Sequence, residues 1–192
     1  MTPASAPSSG DRRSFLRSAA GGMFLFQIAG ATTLMSCSDA RRMGADLTVL
    51  SADDARRLEA FAEVLVPGAR EAGIAHFVDA NLARPHAESL LTARYLDILP
   101  PHDQFYRDGL AALDVVARAK FGKPFASLDA AQSREVVAPL LGGKVDGWKG
   151  PPPPLFYLAV RSDAVDLVYG TEAAMERMNV PYLAHIAPPA KW

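Results

Sequence analysis

Proline and glycine punctuation constrains this chain most strongly. Pro67-Gly68, Pro85, Pro100-Pro101, Gly122 and the run Pro151 to Pro154 cut the region after residue 50 into pieces of helical length. Proline lacks the N–H that an interior helical turn needs, and glycine takes the left-handed conformation that closes one. No segment sustains the apolar–polar alternation of a half-buried strand; apolar residues recur three and four apart. The expected fold is all-α, a compact domain of about six or seven helices after an N-terminal signal segment, with a Pro/Gly-rich loop and an extended C-terminal tail.

Ser51 is a good N-cap, with Asp53 and Asp54 in the first turn, where the helix dipole favours anions. Leu58, Phe61, Ala62 and Leu65 give that first helix its buried stripe. A second helix is expected over 71–83, with Ile74, Phe77, Val78 and Leu82 on one face, and a third over 87–98. The longest, 102–121, carries Phe105, Leu110, Leu113, Val116, Ala117 and Phe121 inward, and Gly122 ends it. Ser127 or Asp129 caps a helix running to 141, with Val136, Val137, Leu140 and Leu141 inward. Residues 142–154 hold four glycines and four consecutive prolines, so an irregular loop with polyproline II backbone is expected. The helix over 155–169 is apolar on more than one side: either it is central, or one side meets another protein. A short helix over 171–178 leads into a proline-interrupted tail.

The N-terminus reads differently. Residues 18–38 carry no charge and follow Arg12, Arg13 and Arg17. A basic region before an apolar one is a targeting pattern, to be set apart from the fold. Gly21, Gly22, Gln27, Gly30, Thr32 and Thr33 dilute the run, which makes it weak as a permanent membrane span. "DRRSFLR" resembles the twin-arginine translocation signal, used by proteins that cross a membrane already folded: Arg12, Arg13, Phe15 and Leu16 match, while Asp11 and Arg17 depart from the commonest residues. The run stops at "LMSC", which resembles a lipobox, making Cys37 a candidate for lipidation; the alternative is cleavage nearby and an incidental cysteine. The expected organisation is a signal segment over 1–37, a polar tether over 38–50 and the helical domain over 51–192.

Composition narrows the chemistry. The 20 basic and 21 acidic side chains leave a net charge of −1, and no basic run or basic–aromatic interleaving suits nucleic acid. Cys37 is the single cysteine, so the domain carries no intrachain disulfide, no Cys-based zinc site and no Cys-x-x-Cys-His haem attachment. His76, His86, His102 and His185 lack the paired spacing of helical metal sites; His76 and Asp79 are the one near match, and surface or capping roles are expected for the histidines. No phosphate-binding glycine loop and no Gly-x-Ser-x-Gly elbow occurs. Asp163 and Asp166 could share a helix face, but Ser162 and Asp163 are expected on its solvated side. No catalytic, cofactor-binding or metal-binding residue is assigned.

A chain without a cofactor motif that carries a folded-export signal suggests a carrier for a partner that acquires its cofactor before export. Aromatic residues concentrate in the second half beside proline-rich backbone, and aromatics anchor interfaces. Trp148, Tyr157, Tyr169, Tyr182 and Trp192 are the candidate partner contacts, and Phe156 is assigned to the core.

"LSADDARRLEAFAEVLVPGAREAGIAHFVDANLA" and "PPPLFYLAVRSDAVDLVYGTEAAMERMNVPYLAHIAPP" resemble the gluconate 2-dehydrogenase subunit 3 family over most of residues 47–192. The resemblance implies a non-catalytic small subunit of a membrane-bound, flavin-dependent sugar or polyol dehydrogenase complex in the periplasm. It implies a large partner subunit that binds FAD, often a multihaem cytochrome c subunit, and a small subunit that assists maturation and twin-arginine export of the flavoprotein. Family catalytic residues belong to the flavoprotein, so none transfers to this chain. The competing expectation is a free-standing envelope lipoprotein acting as a helical binding or structural module.

Overall fold

The computed structural model describes residues 23–180. Seven α-helices and one hairpin occur among them. Strands β1 (Met23–Ile28) and β2 (Ala31–Ser36) pair antiparallel, followed by α1 (Cys37–Met43), α2 (Ala52–Leu65), α3 (Ile74–Leu82), α4 (His102–Phe121), α5 (Ala130–Val137), α6 (Pro153–Tyr169) and α7 (Glu172–Arg177). The domain is helical, as expected.

Helix α2 begins where its cap dictates. The Asp54 amide donates to Ser51 Oγ at 3.1 Å and the Ser51 amide donates back to the Asp54 carboxylate at 3.3 Å, a reciprocal capping box. Leu58, Phe61 and Ala62 face the core. Beyond α2, the Glu63 carboxylate accepts the Gly68 and Arg70 amides and holds the turn that Pro67 starts. Helix α4 covers the expected 102–121, and Gly122 closes it at φ 68°. Asp129 caps α5 through the Ala131 and Gln132 amides, and a 3-10 turn over Ala138–Gly142 completes that segment. Pro153 and Pro154 occupy the first turn of α6, where the missing N–H groups would have no intrahelical partner.

The core is centred on Phe156 of α6. Its ring stacks on Phe61 of α2 at 5.2 Å between centroids and 3° between planes, while Phe105 and Trp148 meet it at 5.9 and 6.0 Å. Gly109 makes the α4–α6 crossing possible: a Cβ there would lie 2.3 Å from the Phe156 ring. Helix α3 is central, with Ile74, Ala75, His76, Phe77, Val78, Asp79 and Asn81 all buried, covered by α2, α6, α1 and the hairpin.

Three buried aspartates replace the regular structure that the loops lack. Asp79 accepts the amides of Thr48, Val49 and Leu50 at 2.7–2.8 Å. Asp114 accepts the Phe125 amide at 2.8 Å and the Arg57 guanidinium at 2.9 Å. Asp163 accepts the Thr92 amide at 2.7 Å and the Tyr106 hydroxyl at 2.5 Å. Each carboxylate satisfies backbone donors that would otherwise be buried unpaired.

Three expectations are corrected, and a segment with no predicted element forms one. The segment over 87–98 is not an α-helix but two 3-10 turns, His86–Glu88 and Thr92–Tyr95, because Asn81 and Asp163 capture the Leu90 and Thr92 amides. Asp163 lies inside, 1% exposed, rather than on the solvated side of its helix. The stretch over 38–50 is no loose tether: α1 occupies its start, and Asp79 holds its end. Residues 23–36 form a hairpin, turning at Ala29 (φ 49°) and Gly30 (φ 82°), the doubly positive φ of a two-residue hairpin loop.

Candidate partner-binding surface

Helix α6 has two different sides. Phe156, Ala159, Val160, Asp163, Ala164 and Leu167 point inward. The outer side carries Leu158, 43% exposed, and Tyr169, 42% exposed, with Arg161 between them and Val165 half-buried. The helix is central, as one of the two expectations had it, and its outer side leaves Leu158 and Tyr169 exposed to solvent. Helix α7 continues that surface. Thr171 caps it through the Ala174 amide at 3.2 Å, and the Arg177 guanidinium donates back to the Val168 carbonyl at the end of α6. Met178 and Val180 follow, both exposed.

Beside this junction lies a cleft of ≈ 460 Å³, lined on one side by Leu167, Val168, Thr171 and Arg177 and on the other by Ser36, Cys37, Gly68 and Glu71. Its lining is mixed apolar and polar, with one basic and one acidic side chain. That chemistry suits a protein surface better than a small apolar ligand.

Trp148 is half-buried: its ring packs on Phe156 and its indole N–H donates to the Pro151 carbonyl at 2.7 Å, so it seals the core beside the proline run. Tyr157 is half-buried against the core edge, and Tyr169 is exposed at the end of α6. The twin-arginine residues Arg12, Arg13, Phe15 and Leu16, and Tyr182, His185 and Trp192, lie outside the described residues. Cys37 is buried at the start of α1, and burial pushes its thiol up to about 12. Sequence reasoning did not single out Leu158, Met178 or Val180 as contacts; for Leu158 the signal was a helix apolar on more than one side.

Titratable groups do not assemble into a reactive centre among the described residues. Burial pushes the Asp163 carboxyl up to about 6, against the hydrogen bonds from Tyr106 and Thr92, and burial with the neighbouring carboxylate raises the Tyr106 hydroxyl. Asp166, three residues on, is exposed, so the two carboxylates face different ways. The His76 ring is buried with Nε2 at 3.2 Å from the Ala45 carbonyl, not at the surface. His86 and His102, sixteen residues apart, meet with ring centroids 4.9 Å apart beside a small cleft of ≈ 190 Å³; His102 Nε2 is engaged by the Ile98 carbonyl at 2.9 Å. No group of three or more His, Cys, Asp or Glu could hold a metal ion among the described residues. Among them, too, no helix is long and apolar enough to cross a membrane.

No curated protein and no solved structure matches the chain. A family model described as gluconate 2-dehydrogenase subunit 3 matches residues 52–185, from the first residue of α2 past the end of α7. The helices that build the Phe156 core and the α6–α7 surface all lie inside that match, and the chain belongs to the gluconate 2-dehydrogenase subunit 3 family.

Proposed function

We propose that this protein is the non-catalytic small subunit of a periplasmic, membrane-bound, flavin-dependent sugar dehydrogenase, and that it assists maturation and twin-arginine export of the FAD-binding large subunit. The observation that carries this reading is family membership over residues 52–185, whose name describes one subunit of a multi-subunit dehydrogenase. The exposed apolar side chains of Leu158, Tyr169, Met178 and Val180 support it as candidate interface anchors. The arginine pair supplies the export element, and a multihaem cytochrome c subunit completes the expected complex.

In this reading the chain performs no redox step. Substrate oxidation and FAD belong to the large subunit, and the small subunit contributes a docking face and an address. The test is a tagged pull-down from solubilised membranes, with the eluate measured for flavin absorbance and for sugar-dependent dye reduction. Flavin and activity in the eluate are expected; a colourless, inactive monomer would overturn the proposal. Replacing both arginines, Arg12→Lys with Arg13→Lys, is expected to leave this chain and the dehydrogenase activity in the cytoplasm. Normal periplasmic activity from that variant would defeat the carrier role.

A further inference from the structure

We infer that residues 23–36 remain in the finished protein: the apolar stretch behind the arginine pair is a structural hairpin of the folded domain, and any removal of the leader takes place ahead of Met23. The uncharged run has the position and composition of a segment to be discarded. Its packing is that of a core element.

The hairpin is two-faced. Phe24 and its cross-strand partner Met35 point inward, 2% and 7% exposed, and Phe26 joins them; the next pair, Leu25 and Leu34, points outward. On the inner face Phe24 sets its ring edge-on to Phe77 of α3 at 5.7 Å, and Phe26 meets the His76 ring at 5.8 Å. The Arg84 guanidinium sits 4.6 Å above the Phe24 ring. The backbone is tied in as well, the Asp46 amide donating to the Gln27 carbonyl at 2.9 Å.

The family region is built around the segment that precedes it. Gly73, immediately before α3, sits at φ 86°, and a Cβ there would lie 2.2 Å from the Cys37 carbonyl oxygen. Any side chain at position 73 would collide with the start of α1. A cut between Ser36 and Cys37 would remove the side-chain cap of α1, where Ser36 Oγ accepts the Asp39 amide at 3.1 Å. It would also bare the Phe77–His76 face of α3. Lipid attachment at Cys37 requires the sulfur as a nucleophile, and in the folded domain this thiol is buried, with burial pushing it up to about 12. The lipobox-like "LMSC" is on this reading the end of a strand and the first turn of a helix.

The test is the intact mass and N-terminal sequence of the full chain purified from the cell envelope, with a thiol assay on the same material. The expected N-terminus lies at or ahead of Met23. Cys37 is expected to resist maleimide in the native protein and to take up one equivalent in guanidinium. An N-terminus between Phe24 and Cys37, a diacylglyceryl mass on Cys37, or a Cys37 still unreactive after unfolding would each overturn the inference. Whether flavin or activity co-purifies is read separately, so the hairpin can fail without the subunit reading failing; a retained hairpin takes from the arginine pair the apolar run that an export signal needs, and so counts against the twin-arginine route and not against the subunit.

Discussion

Asp163 shows how one residue can set a pH dependence without touching a substrate. Its carboxyl is pushed up to about 6 by burial, above the usual value near 4 in an unfolded chain. The folded state therefore holds a proton that the unfolded state has lost across the window between roughly pH 4 and 6. Stability from this group is fully present below pH ~4 and declines as pH rises through ~6. The expected decline is of order 3 kcal/mol, the free energy of a roughly hundredfold difference in proton affinity between the folded and unfolded states. Asp163→Asn should remove that slope while keeping an acceptor for the Thr92 amide; urea midpoints measured from pH 4 to 8 would show it as a flatter curve than the wild type. Gly109 is the second decisive residue. Gly109→Ala drives a methyl into the Phe156 ring and is expected to cost about 2 kcal/mol despite alanine's better helix propensity. Adding Phe156→Leu should cost less than the sum of the two single changes, because the ring being struck is gone.

At the scale of elements, the loops are organised by carboxylates rather than by their own hydrogen bonds. Asp79 holds three consecutive amides of the segment leading into α2. Asp79→Ala should destabilise the fold by about 3 kcal/mol, the order expected when buried donors lose a charged acceptor. Asp79→Asn, with one carbonyl oxygen left, should cost less. Hydrogen exchange would localise the change, with the amides of Thr48, Val49 and Leu50 losing protection before those of α4. The same principle explains the 87–98 segment: "AESLLTARYLDI" has apolar residues at helical spacing, yet its amides are captured from outside by Asn81 and Asp163. Helix α2 had no such competitor. Its Ser51–Asp54 cap and Leu58–Phe61–Ala62 stripe sit within a dozen residues of each other and were readable directly.

At the scale of the whole molecule, the docking face we propose is the exposed apolar surface where α6 meets α7. Leu158→Asp with Tyr169→Asp replaces apolar surface that makes no core contribution, so thermal stability is expected to stay within a few degrees of wild type. Recovery of flavoprotein with the tagged double variant should fall by about tenfold or more, if these residues anchor the interface. Unchanged recovery would move the docking face elsewhere on the chain. Of the candidate contacts named from sequence, Tyr169 lies exposed on this surface, whereas Trp148 spends its ring on Phe156 and its N–H on Pro151. Loop position alone did not distinguish a sealing tryptophan from an anchoring one.

The sequence by itself determined the helical class, the ends of α2 and α4, the core role of Phe156 and the family. These depend on local caps, breakers, apolar spacing and motifs, all expressed within short windows of chain. Tertiary structure alone decided the inward turn of Asp163, the meeting of His86 with His102, and the place of residues 23–36 in the core. The first two join residues that are distant in sequence. The third is a matter of shape: "MFLFQI" is apolar on both faces, so no alternation announces a strand, and only the fit of Phe24 and Phe26 against Phe77 and His76 shows which face turns inward.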